Sequence, residues 1–126
     1  MDGTNFELVD DFKEAMGQEV NAVPTWPEDD IQRLRLDLIE EELDELHYAI
    51  DNKDMVEIAD ALGDLLYVVY GAGHAFGIDL DECFKEIHAS NMSKLGPDVK
   101  PIKREDGKVL KPDTFFPPDL KTILGV

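Results

Sequence analysis

The sequence predicts an all-α protein, a four-helix bundle-like core followed by an irregular C-terminal arm. Three observations predict it: apolar residues recur at steps of three and four, helix start and stop signals repeat, and neither strand–helix alternation nor an internal repeat is present. Residues 1–96 read as the helical domain, and residues 97–126 as an arm of that same domain.

The first amphipathic segment runs from about Asn5 to Met16 and is broken by Gly17 and by Pro24 and Pro27. Thr25-x-x-Glu28 has the form of a capping box, so a second, long helix is expected from Trp26 or Pro27 to about Ile50. Its predicted core seam is Leu36, Ile39, Leu43, Leu46 and Ile50. Asp51-Asn52-Lys53 makes a short turn, and Asp54-x-x-Glu57 opens a third helix to about Phe76 with Met55, Ile58, Leu62, Leu65 and Val69 as its buried stripe. Gly77 ends it, Asp79-x-x-Glu82 begins a fourth, and Gly96-Pro97 stops that one near Leu95. In the arm, Asp106-Gly107 between aliphatic flanks suits a small hairpin, and Phe115-Phe116-Pro117-Pro118 follows.

Charge narrows the function classes. Across 126 residues the net charge is −17, and the pI is near 4.3. Such a surface argues against binding nucleic acid or an anionic membrane, and suits a cation or a basic partner. Cys83 is the sole cysteine, which excludes a disulfide framework and a cysteine zinc site. The opening MDGTNFELVDDF has neither the basic start nor the apolar run of a signal peptide, and Leu65–Gly73 is far short of the roughly 20 apolar residues of a membrane span. A cytoplasmic protein is expected.

The stretch LIEEELDELHYAI, Leu38 to Ile50, gathers five acids inside a packing helix. A short turn makes the second and third helices antiparallel, so Glu42 and Glu45 come opposite the region from Ala59 to Asp64. Glu57, Asp60, Asp64 and Tyr67 share one stripe by their spacing of three, four and three. Carboxylates meeting at one interface repel unless some are protonated or a cation sits among them. An oxygen-only set favours Mg2+ or Mn2+, with Ca2+ second. Glu40 and Asp44 read as solvated charge. Gly63, within the acidic stripe, suggests a close approach to the backbone, whereas Gly71, Gly73 and Gly77 read as packing positions. His47, His74 and His88 read as ordinary surface or core residues. Trp26 reads as a staple at the start of the second helix or the edge of a base pocket.

The order Glu41-Glu42-x-x-Glu45, a short turn, Glu57-x-x-Asp60, then Leu62-Gly63-Asp64-Leu65-Leu66-Tyr67 closely resembles the all-α nucleoside triphosphate pyrophosphohydrolases. These include MazG-like proteins, dimeric dUTPases and phosphoribosyl-ATP pyrophosphohydrolases. Leu34-Arg35, Gly77-Ile78-Asp79 and Ser90-Asn91-Met92-Ser93-Lys94-Leu95 extend the resemblance. The segments Asp106 to Pro112 and Pro117 to Leu120 are similar to the tails of small MazG-like proteins of bacteria and phages.

The resemblance implies Mg2+-dependent hydrolysis of an NTP or dNTP to the monophosphate and pyrophosphate, with Mn2+ as a substitute metal. Carried over residue by residue, it implies Glu42, Glu45, Glu57 and Asp60 as metal ligands and Glu41 as a further ligand or general base beside Glu42 and Glu45. Where many members carry a glutamate this chain has Ala61, so either Asp60 or Asp64 can be the principal aspartate, with Asp60 ahead on the Glu-x-x-Asp spacing. Asn91 and Lys94 match the substrate-contacting motif, and Arg35, Lys85 and Lys111 are further phosphate candidates. Trp26, Tyr67, Tyr70 and Phe76 are available to stack on a base. A homodimer or homotetramer is implied, with dUTP or phosphoribosyl-ATP as alternative substrates. The competing class is a non-catalytic acidic protein, a cation buffer or DNA mimic, which needs its carboxylates spread over the exterior.

Overall fold

The computed structural model describes residues 3–95, 102–103, 105–110 and 112–126. It is all-α apart from one minimal hairpin, and it divides into two compact units, Met1–Leu80 and Asp81–Val126.

The first unit holds α1 (Asn5–Ala15), α2 (Asp29–Asp51) and α3 (Met55–Phe76). α1 opens with a true capping box: Thr4 Oγ1 accepts from the Glu7 backbone at 3.2 Å, and Glu7 Oε1 accepts from the Thr4 backbone at 2.8 Å. The box expected at Thr25-x-x-Glu28 does not form. Thr25 donates instead to the Val23 carbonyl at 2.7 Å, and α2 starts at Asp29 without a side-chain cap. At α3 only one half of a box is made, Asp54 Oδ1 accepting from the Glu57 backbone at 3.2 Å. The Glu57 carboxylate is thereby left for other work.

Lys53, at φ 53°, closes the α2–α3 turn in the left-handed region, and α3 packs against both α2 and α1. The loop after α1 caps the far end of α3. Asn21 and Thr25 backbone amides donate to His74 and Phe76 carbonyls at 2.9 and 2.8 Å, and Asn21 Nδ2 donates to Ala75 at 2.7 Å. Gly77 (φ 67°) finishes the helix where a Cβ would stand 1.8 Å from the Val23 carbonyl oxygen, so only glycine fits. Gly73 likewise lies against Leu80.

The predicted core seam is corrected by the structure. Leu36, Leu43, Ile50, Met55, Leu62 and Val69 are exposed, while Ile39, Leu46, Ile58 and Leu65 are half-buried. The helices meet instead along a line of smaller and polar residues, Arg35, Glu42 and Ala49 on α2 against Ala61, Asp64 and Gly71 on α3. Small side chains let two helices approach closely, and the bulky aliphatics are turned outward from that line. Gly63 is also corrected: nothing lies near its Cβ position, and it borders an open groove with Tyr67 and Tyr70.

The second unit holds most of α4 (Leu80–Met92), the two-residue strands β1 (Ile102–Lys103) and β2 (Val109–Leu110), and α5 (Leu120–Leu124). The strands pair antiparallel across Asp106-Gly107, with Ile102 opposite Leu110. Ser90 Oγ donates to the Phe116 carbonyl at 2.7 Å, Ser93 Oγ accepts from the Phe116 backbone at 3.1 Å, and Glu86 accepts from the Asp119 backbone at 2.8 Å. The arm is thus tied to α4 by hydrogen bonds. α5, with Asp119 as its cap, was not foreseen.

Candidate metal centre

Because the α2–α3 contact line runs through them, three carboxylates face one another across it. Glu42, Glu45 and Asp64 each offer an oxygen within 4.8 Å of the others, the sole such grouping of three among the described residues. Glu42 Oε2 is sealed from solvent and has no hydrogen-bond partner. An unpaired buried acceptor costs about 1–3 kcal/mol, more when charged.

The electrostatics follow from the crowding. Burial pushes the Glu42 carboxyl above its ordinary value, helped by the charge of Glu45, by a proton the two can share, and by Asp64 and Asp60. Asp64 is pushed up by burial first, then by Asp60 and Glu45. Crowded carboxylates relieve their repulsion either by taking up a proton, the direction in which both groups are pushed, or by holding a cation.

Beside this trio lies a cavity of about 570 Å3 lined by Glu45, Glu57, Asp60 and Asp44 with Tyr48 and Asn52. Glu45 belongs to both groups, so the trio adjoins the cavity, and the two together gather acids along this stretch of the helix pair. Asp64, four residues beyond Asp60, closes the trio with Glu42. Asp44 is exposed yet borders the cavity. Tyr48 is a lining residue that the sequence reading passed over. Its signal was its position three residues after Glu45, on the same face. Glu41 is exposed and outside the trio.

The other candidates are dispersed. Arg35 stands seven residues before Glu42 on the same face, about 10 Å along the helix. Its Nη2 donates to Gln18 at 3.2 Å and its Nε is sealed without a partner. It borders a second groove with Leu36, Ile39 and Phe76. Trp26 is 83 % exposed, its ring edge-on to Phe76 at 5.8 Å, and the buried residue of that loop is Pro27. Tyr67 packs edge-on to Phe12 at 5.5 Å and lines the groove bordered by Gly63. Lys85 pairs with Glu82 at 3.2 Å on the exposed face of α4. Asn91 is exposed in the last turn of α4 and Lys94 half-buried just beyond it, both in the second unit. Lys111 lies outside the described residues.

Residues 9–91 match the family model of phosphoribosyl-ATP pyrophosphohydrolase, spanning α1 to α4 and every acid of the site. The chain belongs to the phosphoribosyl-ATP pyrophosphohydrolase family. It is therefore of nucleotide-pyrophosphohydrolase type, within the superfamily its acidic motifs resemble. It is also similar to an uncharacterized protein, L479, of Acanthamoeba polyphaga mimivirus, at 45% identity over 82 residues, 62% of this chain. The chain spans about 33% of the length of that relative. Among the described residues, no helix is long and apolar enough to cross a membrane.

The donor set fits the hard divalent cation associated with such chemistry. It is all carboxylate oxygen, it converges, and one of its atoms is buried without a partner.

Proposed function

We propose that the protein is a cytoplasmic, Mg2+-dependent nucleoside triphosphate pyrophosphohydrolase that cleaves an NTP or dNTP to the monophosphate and pyrophosphate. The observation that carries this reading is the convergence of Glu42, Glu45 and Asp64 around the unpartnered Glu42 Oε2.

Glu42, Glu45 and Asp64 would hold one cation, with Glu57 and Asp60 completing the acidic lining across the adjoining cavity. A bound divalent ion neutralises triphosphate charge and polarises the phosphoryl group. Glu41, exposed one residue before Glu42, orients the attacking water and takes its proton. Water oxygen then bonds to the α-phosphorus as the bond to the bridging α–β oxygen breaks, and that oxygen leaves with pyrophosphate. Arg35, two helical turns from Glu42, supplies fixed positive charge for the leaving phosphates. Charge on the acids below it would repel a triphosphate in the absence of cation, so binding and metal loading go together.

The protein acts as a homodimer or homotetramer. The aliphatics Leu36, Leu43, Ile50, Leu62 and Leu66 of α2 and α3 are each exposed within one chain, apolar area that a second copy would cover.

Incubation with a panel of NTPs, dNTPs, dUTP and phosphoribosyl-ATP, with Mg2+ or Mn2+, tests the reaction. Monophosphate and pyrophosphate are the expected products. Orthophosphate with diphosphate would refute attack at the α-phosphorus, and no cleavage of any substrate would leave a cation-binding protein.

A further inference from the structure

The cavity that adjoins the carboxylate trio has one aromatic residue in its wall, Tyr48. It follows Glu45 by three positions and so shares a face of α2 with it. A helical side chain leans toward the turn before it, which for Tyr48 is the turn that carries Glu45. Tyr48 is 73 % exposed. Among the described residues its ring pairs with no other aromatic ring and its hydroxyl with no hydrogen-bond partner. The other rings of this unit are engaged or distant. Tyr67 is edge-on to Phe12, and Tyr70 is edge-on to Phe6 at 6.2 Å. Trp26 meets Phe76, which lies twelve residues beyond Asp64, about 18 Å along α3.

The charge of the wall selects which end of a substrate can lie beside Tyr48. Asp44, Glu45, Asp54, Glu57 and Asp60 line the cavity, and no lysine or arginine does. Phosphates are repelled from it except where a bound cation answers their charge. Arg35 lies in the opposite direction along α2, seven residues before Glu42, whereas Tyr48 is six residues after it. The cationic direction therefore suits the leaving phosphates, and the acidic direction suits the uncharged nucleoside. Ala49 and Ala61, each 3 % exposed, line the same cavity, and their small side chains leave room between the two helices. At about 570 Å3 the space falls in the range of small-molecule pockets. A free aromatic face on this path matches the one feature that every nucleobase offers, its π-face.

We infer that Tyr48 stacks on the nucleobase of the substrate and makes the protein favour purine over pyrimidine nucleotides. The larger purine ring covers more of the tyrosine. The inference rests on the pyrophosphohydrolase reading. It makes Tyr48 a specificity-determining residue and leaves the reacting atoms to the metal site.

The test is steady-state kinetics of the Mg2+-loaded full chain on dATP, dGTP, dCTP and dUTP, with the parent, Tyr48→Ala and Tyr48→Phe proteins. The parent should show a KM severalfold lower for the two purine nucleotides. Tyr48→Ala should raise the purine KM about tenfold and erase that difference, with kcat falling less than about threefold. Tyr48→Phe keeps the ring and should keep the preference. Because the position is exposed, both variants should fold, and a loss of folded protein would lower kcat without moving KM. A parent with no purine preference, a Tyr48→Ala protein that keeps it, or a Tyr48→Phe protein that behaves as Tyr48→Ala would each overturn the inference. If no triphosphate is cleaved, it is the pyrophosphohydrolase reading that fails, and equilibrium dialysis of dATP and dCTP against parent and Tyr48→Ala then reads the stacking directly. Tighter dATP binding that Tyr48→Ala removes would support the inference, and equal binding of the two nucleotides would overturn it.

Discussion

Asp64 of α3 faces Glu42 of α2 across the helix interface, with carboxylate oxygens inside the 4.8 Å span shared with Glu45. Two acids with raised proton affinity on opposed helices couple stability to pH.

The first prediction concerns that coupling. A carboxyl whose folded value lies above its unfolded value destabilises the fold as pH rises from the ordinary 4.5 of Glu42 and 3.8 of Asp64 through the raised folded values. The metal-free protein therefore loses stability from these groups on approaching neutrality, and Mg2+ restores it. Calorimetry should show a Mg2+-induced rise in Tm that shrinks as pH falls into the carboxylate range. Glu42→Gln should raise the metal-free Tm at pH 7 while removing most of the Mg2+ effect.

Lys13 gives a second pH dependence of opposite sense. Burial, with the nearby Arg35 charge, lowers its ammonium from 10.5 to about 8. Its folded value lies below its unfolded one, so stability rises as pH climbs from about 8 toward 10.5. Lys13→Met removes this slope, and because a well-packed apolar side chain replaces a buried ammonium held by the Gly71 carbonyl at 2.8 Å, it should raise Tm at pH 7 by about 2–5 °C. A fall in Tm with the slope intact would show that Lys13 does not carry the effect.

Gly77 tests the loop that caps α3. Gly77→Ala sets a Cβ into the Val23 carbonyl at a positive φ and should cost roughly 3 kcal/mol, near 10 °C in Tm. A change under about 1 kcal/mol would show that the loop shifts freely.

How far the sequence told this in advance depends on what each residue encodes. Helical phase and glycine punctuation placed α1 and α3 within a residue or so, because those signals are local. The core was misread since periodicity reports that a stripe is apolar but not whether it turns inward or toward another surface. Ala49, Ala61 and Gly71 carry too little hydrophobicity to announce a close helix contact. Glu42, Glu45 and Asp64 were legible as stripe members, whereas their convergence depends on how near the helices come. Lys13 was missed because charge normally signals exposure, although it follows Phe6 and Val9 in the buried phase of α1.

Self-association is the fourth prediction. Leu43 and Leu62 are 42% and 47% exposed within one chain, and light scattering should give a dimer or tetramer. Leu43→Glu should shift the mass toward monomer with helicity retained. A monomeric parent protein would remove the basis for an assembled active form.

The central claim is that Glu42, Glu45 and Asp64 hold the catalytic Mg2+, and the most direct measurement is Mg2+-dependent pyrophosphate release by the parent, Asp64→Asn and Glu40→Gln proteins on the substrate cleaved fastest. Loss of at least about a hundredfold in Asp64→Asn, with Glu40→Gln within about twofold of the parent, is the predicted result. An Asp64→Asn protein that matches the parent in rate and in Mg2+ dependence would contradict it.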